Sequence, residues 1–284
     1  MGTLIDGKAI AKKIDAQTKI LVEELKNAGK TARLDVVLVG EDESSLMYDR
    51  MKGAAAERLG LDFELHHFPS PISEIELIEK IHDIQKNKKP NGLILQLPLP
   101  EHLYTPSVLN SIDPKIDVDF LTNERLGTLV MNTNTLLPPT PGAVFSILDD
   151  LNVDLSGKNV TIIGMGALVG KPLAIMLINA KASVTTINSR TKNVKEKCLS
   201  ADIIITGVGK KDILRGDMVR DNAIVIDTGI SFENEKVYGD VNVDEVLKKA
   251  SFVTPTPGGV GPITVARLLL NTALSAEMET KDTV

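Results

Sequence analysis

Residues 159–179 of this 284-residue chain read NVTIIGMGALVGKPLAIMLIN. The segment begins with an apolar run of strand length, continues through a turn containing Gly164, Gly166 and Gly170, and ends in a helical pattern. A glycine turn between a strand and a helix lets backbone amides approach a pyrophosphate, and the helix N-terminus adds a partial positive charge. The spacing G-x-G-x-x-x-G is one residue longer than the commonest dinucleotide fingerprint, so it also fits a tight turn without a ligand.

Strand and helix patterns alternate on both sides of this turn. The predicted strands cover residues 34–40, 62–68, 92–97, 159–164, 183–188, 201–206, 223–229 and 251–257. The predicted helices include one closed by Gly29, one over 44–59, one from Ser73, one over 168–179 and one over 264–278. Such alternation is typical of α/β proteins with parallel sheets, in which ligands bind at the carboxyl ends of the strands.

The length and the breaks in the pattern predict two domains. Residues 1–139 form an α/β substrate domain, and an Asn- and Pro-rich stretch at 132–141 marks its end. Residues 140–263 form a Rossmann-type, doubly wound parallel sheet. The C-terminal helix, within 264–284, returns to the first domain through an apolar stripe.

Composition narrows the class of protein. The chain is 43% hydrophobic and 25% charged, as in ordinary globular proteins, and its net charge of −6 argues against general nucleic-acid binding. Cys198 is the only cysteine, so no intrachain disulfide can form, and we expect an inert thiol in a cytoplasmic protein that neither spans nor anchors to a membrane. The four histidines have no spacing that suggests a metal site.

A candidate catalytic pair lies in SSLMYDRMKGAA, residues 44–55, and GLILQLPLP, residues 92–100. Tyr48 and Lys52 stand one turn apart on one face of a predicted helix. Gln96 ends an apolar strand before two prolines and can face such a helix across a cleft. A lone Y-x-x-x-K is weak evidence, however, because lysines on helices are usually solvated.

Asp117 and Asp119 are two further acidic residues that are candidates for ligand binding. Asp117 and Asp119 are predicted on the same face of a strand, where like charges are unfavourable unless they meet a donor or a cation. We therefore expect one of them to bind the NH groups of a ligand.

The candidate cofactor contacts follow the strands of the second half. Where an NAD enzyme usually carries an acid for the ribose hydroxyls, this chain has Ser189 and Arg190, which could hold the 2′-phosphate of NADP. An arginine there is equally common as a solvated loop charge. The loops at 206–209 and 254–262 flank the same predicted pocket, although the second could be only a stiff link to the last helix. The predicted cofactor-binding residues are Gly164, Met165, Gly166, Val169, Gly170, Ser189, Arg190, Thr206, Gly207, Val208, Ile230, Gly261 and Thr264.

Taken in order, the motifs resemble the bifunctional methylenetetrahydrofolate dehydrogenase/methenyltetrahydrofolate cyclohydrolase family over nearly the whole chain. The motifs that carry the resemblance are Val39-Gly40 through Ser45, Tyr48 and Lys52, Q-L-P-L at 96–99, D-V-D at 117–119, T-P-G at 140–142, V-G-K-P at 169–172 and P-G-G-V-G-P at 257–262.

The resemblance implies two reactions of one-carbon metabolism that feed purine biosynthesis. NADP oxidises 5,10-methylenetetrahydrofolate, and the methenyl product is hydrolysed to 10-formyltetrahydrofolate. By resemblance, Lys52 does general acid–base work, Gln96 holds its amine, Tyr48 stacks on the folate and Asp119 anchors the pterin. The implied substrate-binding residues are Ser45, Tyr48, Gln96, Leu97, Pro98, Asp117, Asp119, Pro257, Gly258 and Gly259. Family members are usually homodimers joined through the Rossmann domains.

The chain departs from the family pattern at three places. It reads I-D-V-D-F at 116–120, where K-D-V-D-G is usual, and has Pro139 where a cysteine is usual. It reads Gly164-Met165-Gly166 where G-R-S is usual, and so lacks an arginine and a serine that commonly help to hold the NADP phosphate. An NAD-dependent or dehydrogenase-only member is the alternative to an NADP-dependent bifunctional enzyme.

Overall fold

The computed structural model describes residues 2–233 and 236–281. The strands are β1 (Thr3–Leu4), β2 (Arg33–Val39), β3 (Asp62–Phe68), β4 (Gly92–Leu95), β5 (Asn159–Ile163), β6 (Ser183–Ile187), β7 (Ile203–Thr206), β8 (Ile224–Asp227), β9 (Ser231–Glu233), β10 (Lys236–Tyr238) and β11 (Phe252–Val253). The helices are α1 (Gly7–Asn27), α2 (Glu43–Leu59), α3 (Glu74–Lys88), α4 (Pro106–Leu109), α5 (Asn123–Val130), α6 (Pro139–Asp150), α7 (Gly170–Asn179), α8 (Val194–Leu199), α9 (Val243–Val246) and α10 (Val260–Lys281). Short 3-10 helices lie at Glu101–Leu103 and Gly216–Met218.

The described residues divide into two compact units, and the predicted α/β class is confirmed. One unit contains residues 13–139 and 265–281, and the other contains residues 2–12 and 140–264. The N-terminal residues were predicted to belong to the first domain, and the structure places them in the second unit. Residues 2–12 group with the second unit because β1, which the sequence did not predict, pairs in parallel with β11.

The unit of residues 13–139 and 265–281 is built on a parallel sheet whose three described strands lie in the order β3-β2-β4. After its first residue, the central strand β2 is buried throughout. These buried residues are apolar except for Asp35. Helix α10 belongs to this unit from residue 265 onwards, where Asn271 donates hydrogen bonds to the carbonyls of Val118 and Leu137. The buried surface of this helix is wider than the apolar stripe that was predicted, because residues 268–273 are all buried.

The unit of residues 2–12 and 140–264 holds a sheet whose six described strands lie in the order β1-β11-β8-β7-β5-β6, all parallel. Strand β5 lies between β6 on one side and β7 on the other, so the strand order reverses there. This switch point opens a crevice at the carboxyl ends of the strands. The glycine turn of residues 164–170 follows β5 and therefore lies at that crevice.

Two local features differ from the sequence predictions. The antiparallel pair β9 and β10 lies outside the main sheet and was not predicted. Helix α6 begins at Pro139, so it starts within the stretch at 132–141 that was predicted to mark the end of the first domain. Over residues 2–233 and 236–281, no helix combines the length and the apolarity that crossing a bilayer requires.

Candidate functional site

Helix α2 carries Tyr48 and Lys52, and both of its ends are fixed by local chemistry. Asp42 caps the N-terminus by accepting from the backbone N–H of Ser45 at 2.9 Å, and Gly60 ends the helix at φ 83°. The Ser45 hydroxyl also donates to Asp42 Oδ2 at 3.0 Å. Ser45, predicted to bind substrate, is thus buried and committed to the helix cap.

Gln96 follows strand β4, where its backbone N–H still donates to the carbonyl of Val37 at 2.8 Å. Its side-chain Nε2 donates to the Leu97 carbonyl at 2.7 Å, which directs Oε1 the other way. Leu97 is half-buried, Pro98 is exposed, and the peptide bond between them is cis. The sequence prediction that Gln96 faces the helix is confirmed by its contact with Lys52.

Lys52 is the cation of this unit's candidate site, and its side chain is only 11% exposed. Its ammonium Nζ donates to Gln96 Oε1 at 2.5 Å and to Asp49 Oδ1 at 3.0 Å. Both partners accept hydrogen bonds, so they hold the ammonium in place. Tyr48, one turn earlier, is half-buried, and desolvation raises the pKa of its phenol. No described residue hydrogen-bonds to that phenol.

Asp117 and Asp119 do not share a strand face, and that prediction is wrong. Asp117 lies in a turn that meets β4 through a single bridge to Leu93. Its buried carboxylate accepts from the backbone N–H groups of Leu121 and Thr122, at 3.1 and 2.8 Å, and so holds the start of α5. Both oxygens are therefore committed to the backbone, which leaves Asp119 as the acid of the pair that is free for a ligand.

Asp119 is half-buried and has no hydrogen bond from any residue in the described ranges. Desolvation raises the pKa of this carboxyl group to about 7, with a further rise from the charge of Asp117 and an opposing effect from Lys52. A carboxyl group with raised pKa and no internal donor is typical of a functional position. The next residue, Phe120, is buried at φ 61°, a conformation that glycine adopts more easily. This explains why the family's usual glycine suits the position.

Asp49, for which no role was predicted, lies beside Lys52. Asp49 is fully buried, and its Oδ2 has no hydrogen-bond partner in the described part of the chain. Burial raises the pKa of its carboxyl group, while Lys52 and His67 lower it. The signal was present in the sequence, since an acid three residues before a helical lysine shares its face.

The glycine turn after β5 fits a dinucleotide. Gly164 has φ 103°, and a Cβ at Gly170 would lie 2.0 Å from the carbonyl oxygen of Gly164, so the turn folds closely on itself. A Cβ at Gly166, in contrast, would meet nothing within 4 Å of the described atoms. The exposed side of the turn is therefore open to a phosphate, next to the N-terminus of α7 at Val169. Met165, half-buried in the turn, adds no charge.

The other predicted cofactor contacts lie on loops of the same unit. Ser189 and Arg190 are exposed after β6, where Arg190 N–H donates to Asn188 Oδ1 at 2.9 Å. Thr206 is buried and its hydroxyl donates to Asp227, so its side chain has a structural role. Val208 and Ile230 are 45% and 37% exposed beyond β7 and β8.

Asp240, which the sequence analysis missed, fixes the loop after β7. Its buried carboxylate accepts from the backbone N–H groups of Val208 and Lys210, at 2.6 and 2.7 Å. Gly207 lies within the loop that Asp240 holds. The anchor could not be found from local sequence, because Asp240 stands 32 and 30 positions after the two residues that it holds.

The P-G-G-V-G-P segment opens helix α10. Pro257 is exposed, Gly258 has φ 101°, and Gly259 is buried so closely that a Cβ there would lie 2.5 Å from the Pro255 carbonyl oxygen. Further along, half-buried Gly261 is followed by Thr264, whose hydroxyl lies 3.4 Å from that of Thr140. These residues belong to the unit with the glycine turn, and Lys52, Gln96 and Asp119 belong to the other.

One histidine lies in an acidic cluster that already contains a cation. The carboxylates of Asp35 and Glu64 and the ring of His66 are close enough to share an ion. Arg33 is ion-paired with both acids, at 2.8 Å from Asp35, and Lys88 lies 3.1 Å from Glu64, so two cations already balance the two carboxylates. Cys198 is buried, and desolvation raises the pKa of its thiol to about 11, which agrees with the expected inert role.

Comparisons with known proteins give the same picture in both units. Residues 5–119 match the family model described as the tetrahydrofolate dehydrogenase/cyclohydrolase catalytic domain, and residues 138–280 match that of the family's NAD(P)-binding domain. The chain is 44% identical over 280 residues to the bifunctional protein FolD of Aliarcobacter butzleri, covering 98% of each sequence.

Two solved structures are closely similar. The bifunctional FolD enzyme of Campylobacter jejuni has a TM-score of 0.95 and 39% identity, covering 98% of this chain and 100% of that one. The methylenetetrahydrofolate dehydrogenase-cyclohydrolase of Trypanosoma brucei, solved with NADP and an inhibitor, has a TM-score of 0.94 and 30% identity, covering 99% of each chain.

Proposed function

Because the chain belongs to the tetrahydrofolate dehydrogenase/cyclohydrolase family, we propose that it catalyses two successive reactions on one folate. The first is NADP-dependent oxidation of 5,10-methylenetetrahydrofolate to the 5,10-methenyl compound. The second is hydrolysis of that compound to 10-formyltetrahydrofolate. The observation that carries the proposal is the buried hydrogen bond between Lys52 and Gln96, in the unit that also presents Asp119 without an internal donor.

The folate is held by four side chains of that unit. Asp119, as a carboxylate, accepts hydrogen bonds from the ring NH and amino group of the pterin, which supply the donors that it lacks within the protein. Tyr48 stacks on the folate with the face of its half-buried ring. Leu97 and Pro98 line the binding site at the end of β4.

The oxidation needs alignment more than chemistry from the protein. The turn of Gly164, Gly166 and Gly170 would hold the pyrophosphate, and Ser189 and Arg190 would hold the 2′-phosphate. When bound, NADP supplies the hydride acceptor for the methylene carbon. The chain contributes by fixing the folate through Asp119 and Tyr48, so that the methylene group keeps one orientation.

Hydrolysis makes more use of Lys52. Water adds to the methenyl carbon, and the amine of Lys52 accepts a proton from that water. The cationic substrate repels a protonated lysine and so favours the amine form that this step needs. Lys52 then returns the proton to N5 as the bond between that nitrogen and the carbon breaks. The hydroxyl of the adduct loses its proton to solvent as the carbonyl forms, which leaves the formyl group on N10. Gln96 keeps the nitrogen of Lys52 in position through both proton transfers.

The preference for NADP over NAD rests on Ser189 and Arg190 alone, since Met165 brings no charge to the turn. An NAD-dependent enzyme is the second candidate, and Met165 is the observation that favours it.

We also propose a cytoplasmic homodimer associated through the unit of residues 140–264. In support, Phe232 on strand β9 is 46% exposed, outside the main sheet, and the measurement that tests the dimer is light scattering after gel filtration.

The test is an absorbance time course on the purified protein with 5,10-methylenetetrahydrofolate, run separately with NADP and NAD. A second assay follows hydrolysis of the methenyl compound. Reduction of NADP together with rapid hydrolysis is the expected result. Turnover with NAD alone would keep the folate reactions and replace the cofactor, and turnover with neither would overturn the proposal.

A further inference from the structure

Asp49 is a buried acid that the proposed reactions do not yet use. It lies on α2 one turn before Lys52, and its side chain is fully buried. Oδ1 accepts from Lys52 Nζ at 3.0 Å, whereas Oδ2 has no hydrogen-bond partner in the described ranges. Lys52 is therefore its one hydrogen-bond donor there.

Such a placement is unfavourable for folding alone. A buried carboxylate is destabilising unless hydrogen bonds and an opposite charge compensate for its lost hydration, and an apolar residue of similar size often serves as well or better. Only one of the two carboxylate oxygens of Asp49 accepts a hydrogen bond from a described residue. The compensating group is the side chain proposed to exchange protons in hydrolysis, so the arrangement points to a role in that reaction.

Resting on the proposed function, we propose that Asp49 is a positioning residue that fixes the amine of Lys52 and sets the pH range of hydrolysis. Its negative charge lies 3.0 Å from Nζ and opposes removal of a proton from that nitrogen, whereas the positive charge of the bound substrate assists it. The chemical step stays the same, because Lys52 still takes the proton from water.

The other charged groups around the pair do not duplicate Asp49. Asp119, and behind it Asp117, act on the site through charge, and neither accepts a hydrogen bond from Lys52. His67, at the end of β3, lowers the pKa of Asp49 through its charge, but its ring contacts the carbonyl of Gly40. Tyr48, on α2, is uncharged, and so is Gln96, the hydrogen-bond acceptor after β4. Asp49 is therefore the carboxylate that controls the charge of Lys52 directly.

The test compares the full-length wild type with Asp49→Asn, which keeps the shape and one oxygen acceptor but removes the charge. The rising limb of hydrolysis rate against pH, after subtraction of spontaneous hydrolysis, should move to lower pH by on the order of one unit. The dehydrogenase pH profile should not move. Asp42→Asn is the matched control, because it removes an exposed acid from the same helix while keeping its cap.

A second variant protects the test against misfolding. Asp49→Val places an apolar side chain of nearly the same volume in the buried position and should fold even if the asparagine variant does not. It should shift the hydrolysis profile in the same direction and also lower kcat, because Lys52 loses an acceptor.

The outcomes separate this inference from the function on which it rests. An unshifted hydrolysis profile in both variants, with both wild-type activities present, overturns the role of Asp49 and leaves the proposed function standing. Equal shifts in the two activities would mean a general structural effect and would also overturn it. Absence of both activities in the wild type overturns the proposed function, and the role of Asp49 with it.

Discussion

Lys52 on helix α2 donates a hydrogen bond to Gln96, which stands 44 positions later in the chain after strand β4. The acceptor is held in turn, because Gln96 Nε2 donates to the Leu97 carbonyl. The lysine amine is thus fixed by an element other than its own helix. A group that must give and take protons at one substrate atom benefits from such restraint, since small displacements slow proton transfer.

Replacement of Lys52 should separate the two activities. In Lys52→Met, hydrolysis should fall by about 100-fold or more, because general acid–base catalysis is lost. Oxidation should fall by less than about tenfold, because hydride transfer depends mainly on alignment. Both rates are measured on one preparation, with Lys30→Met, which removes an exposed lysine, as the control. Equal losses in the two activities would contradict the role of Lys52.

Much of this site could be predicted from the sequence, because helix spacing and a strand end are local properties. The contact of Gln96 with the helix of Lys52 was predicted in this way, and the family resemblance drawn from the ordered motifs is confirmed. Asp117 was misplaced because D-V-D alternates like a strand, although its carboxylate caps backbone N–H groups of the following turn. Asp240 and the pair of β1 with β11 depend on contacts between distant segments, which no local pattern encodes.

Folate binding should depend on pH through Asp119. Its carboxyl group has a pKa of about 7, so below neutral pH the protonated form predominates and loses an acceptor for the pterin. Affinity of the wild type for tetrahydrofolate should fall by up to about tenfold per unit below pH 7. Asp119→Asn should bind weakly with little pH dependence, which separates the protein's titration from that of the ligand. Calorimetry from pH 6 to pH 8 measures this, and a flat wild-type profile would exclude the role.

The same residue should lower the stability of the protein at alkaline pH. Because the folded-state pKa of Asp119 lies above its ordinary value of 3.8, the folded chain binds more protons than the unfolded chain between about pH 4 and pH 7. The contribution of Asp119 to stability is therefore largest in acid and is lost as pH rises through 7. The stability advantage of Asp119→Asn over the wild type should therefore grow from pH 5 to pH 8, by up to about 3 kcal/mol. Urea unfolding of both proteins at pH 5 and pH 8 measures this difference in stability. A stability advantage of the variant that shrinks toward pH 8 would contradict the raised pKa.

The close fold of the glycine turn should make Gly170 intolerant of a side chain. In Gly170→Ala the new Cβ would lie 2.0 Å from the Gly164 carbonyl oxygen, so the turn and the start of α7 must separate, which should destabilise the unit by about 1 to 3 kcal/mol. The displaced amides should also weaken NADP binding. Gly127→Ala is the matched control, because Gly127 is exposed within α5 with nothing within 4 Å of its added Cβ, and alanine there should stabilise by about 0.5 to 1 kcal/mol. Urea unfolding and NADP titration of both variants measure the difference. Two results together would contradict this role of the turn: Gly170→Ala is as stable as Gly127→Ala, and it binds NADP as tightly as the wild type does. The turn would then not be the cofactor-binding site that its geometry indicates.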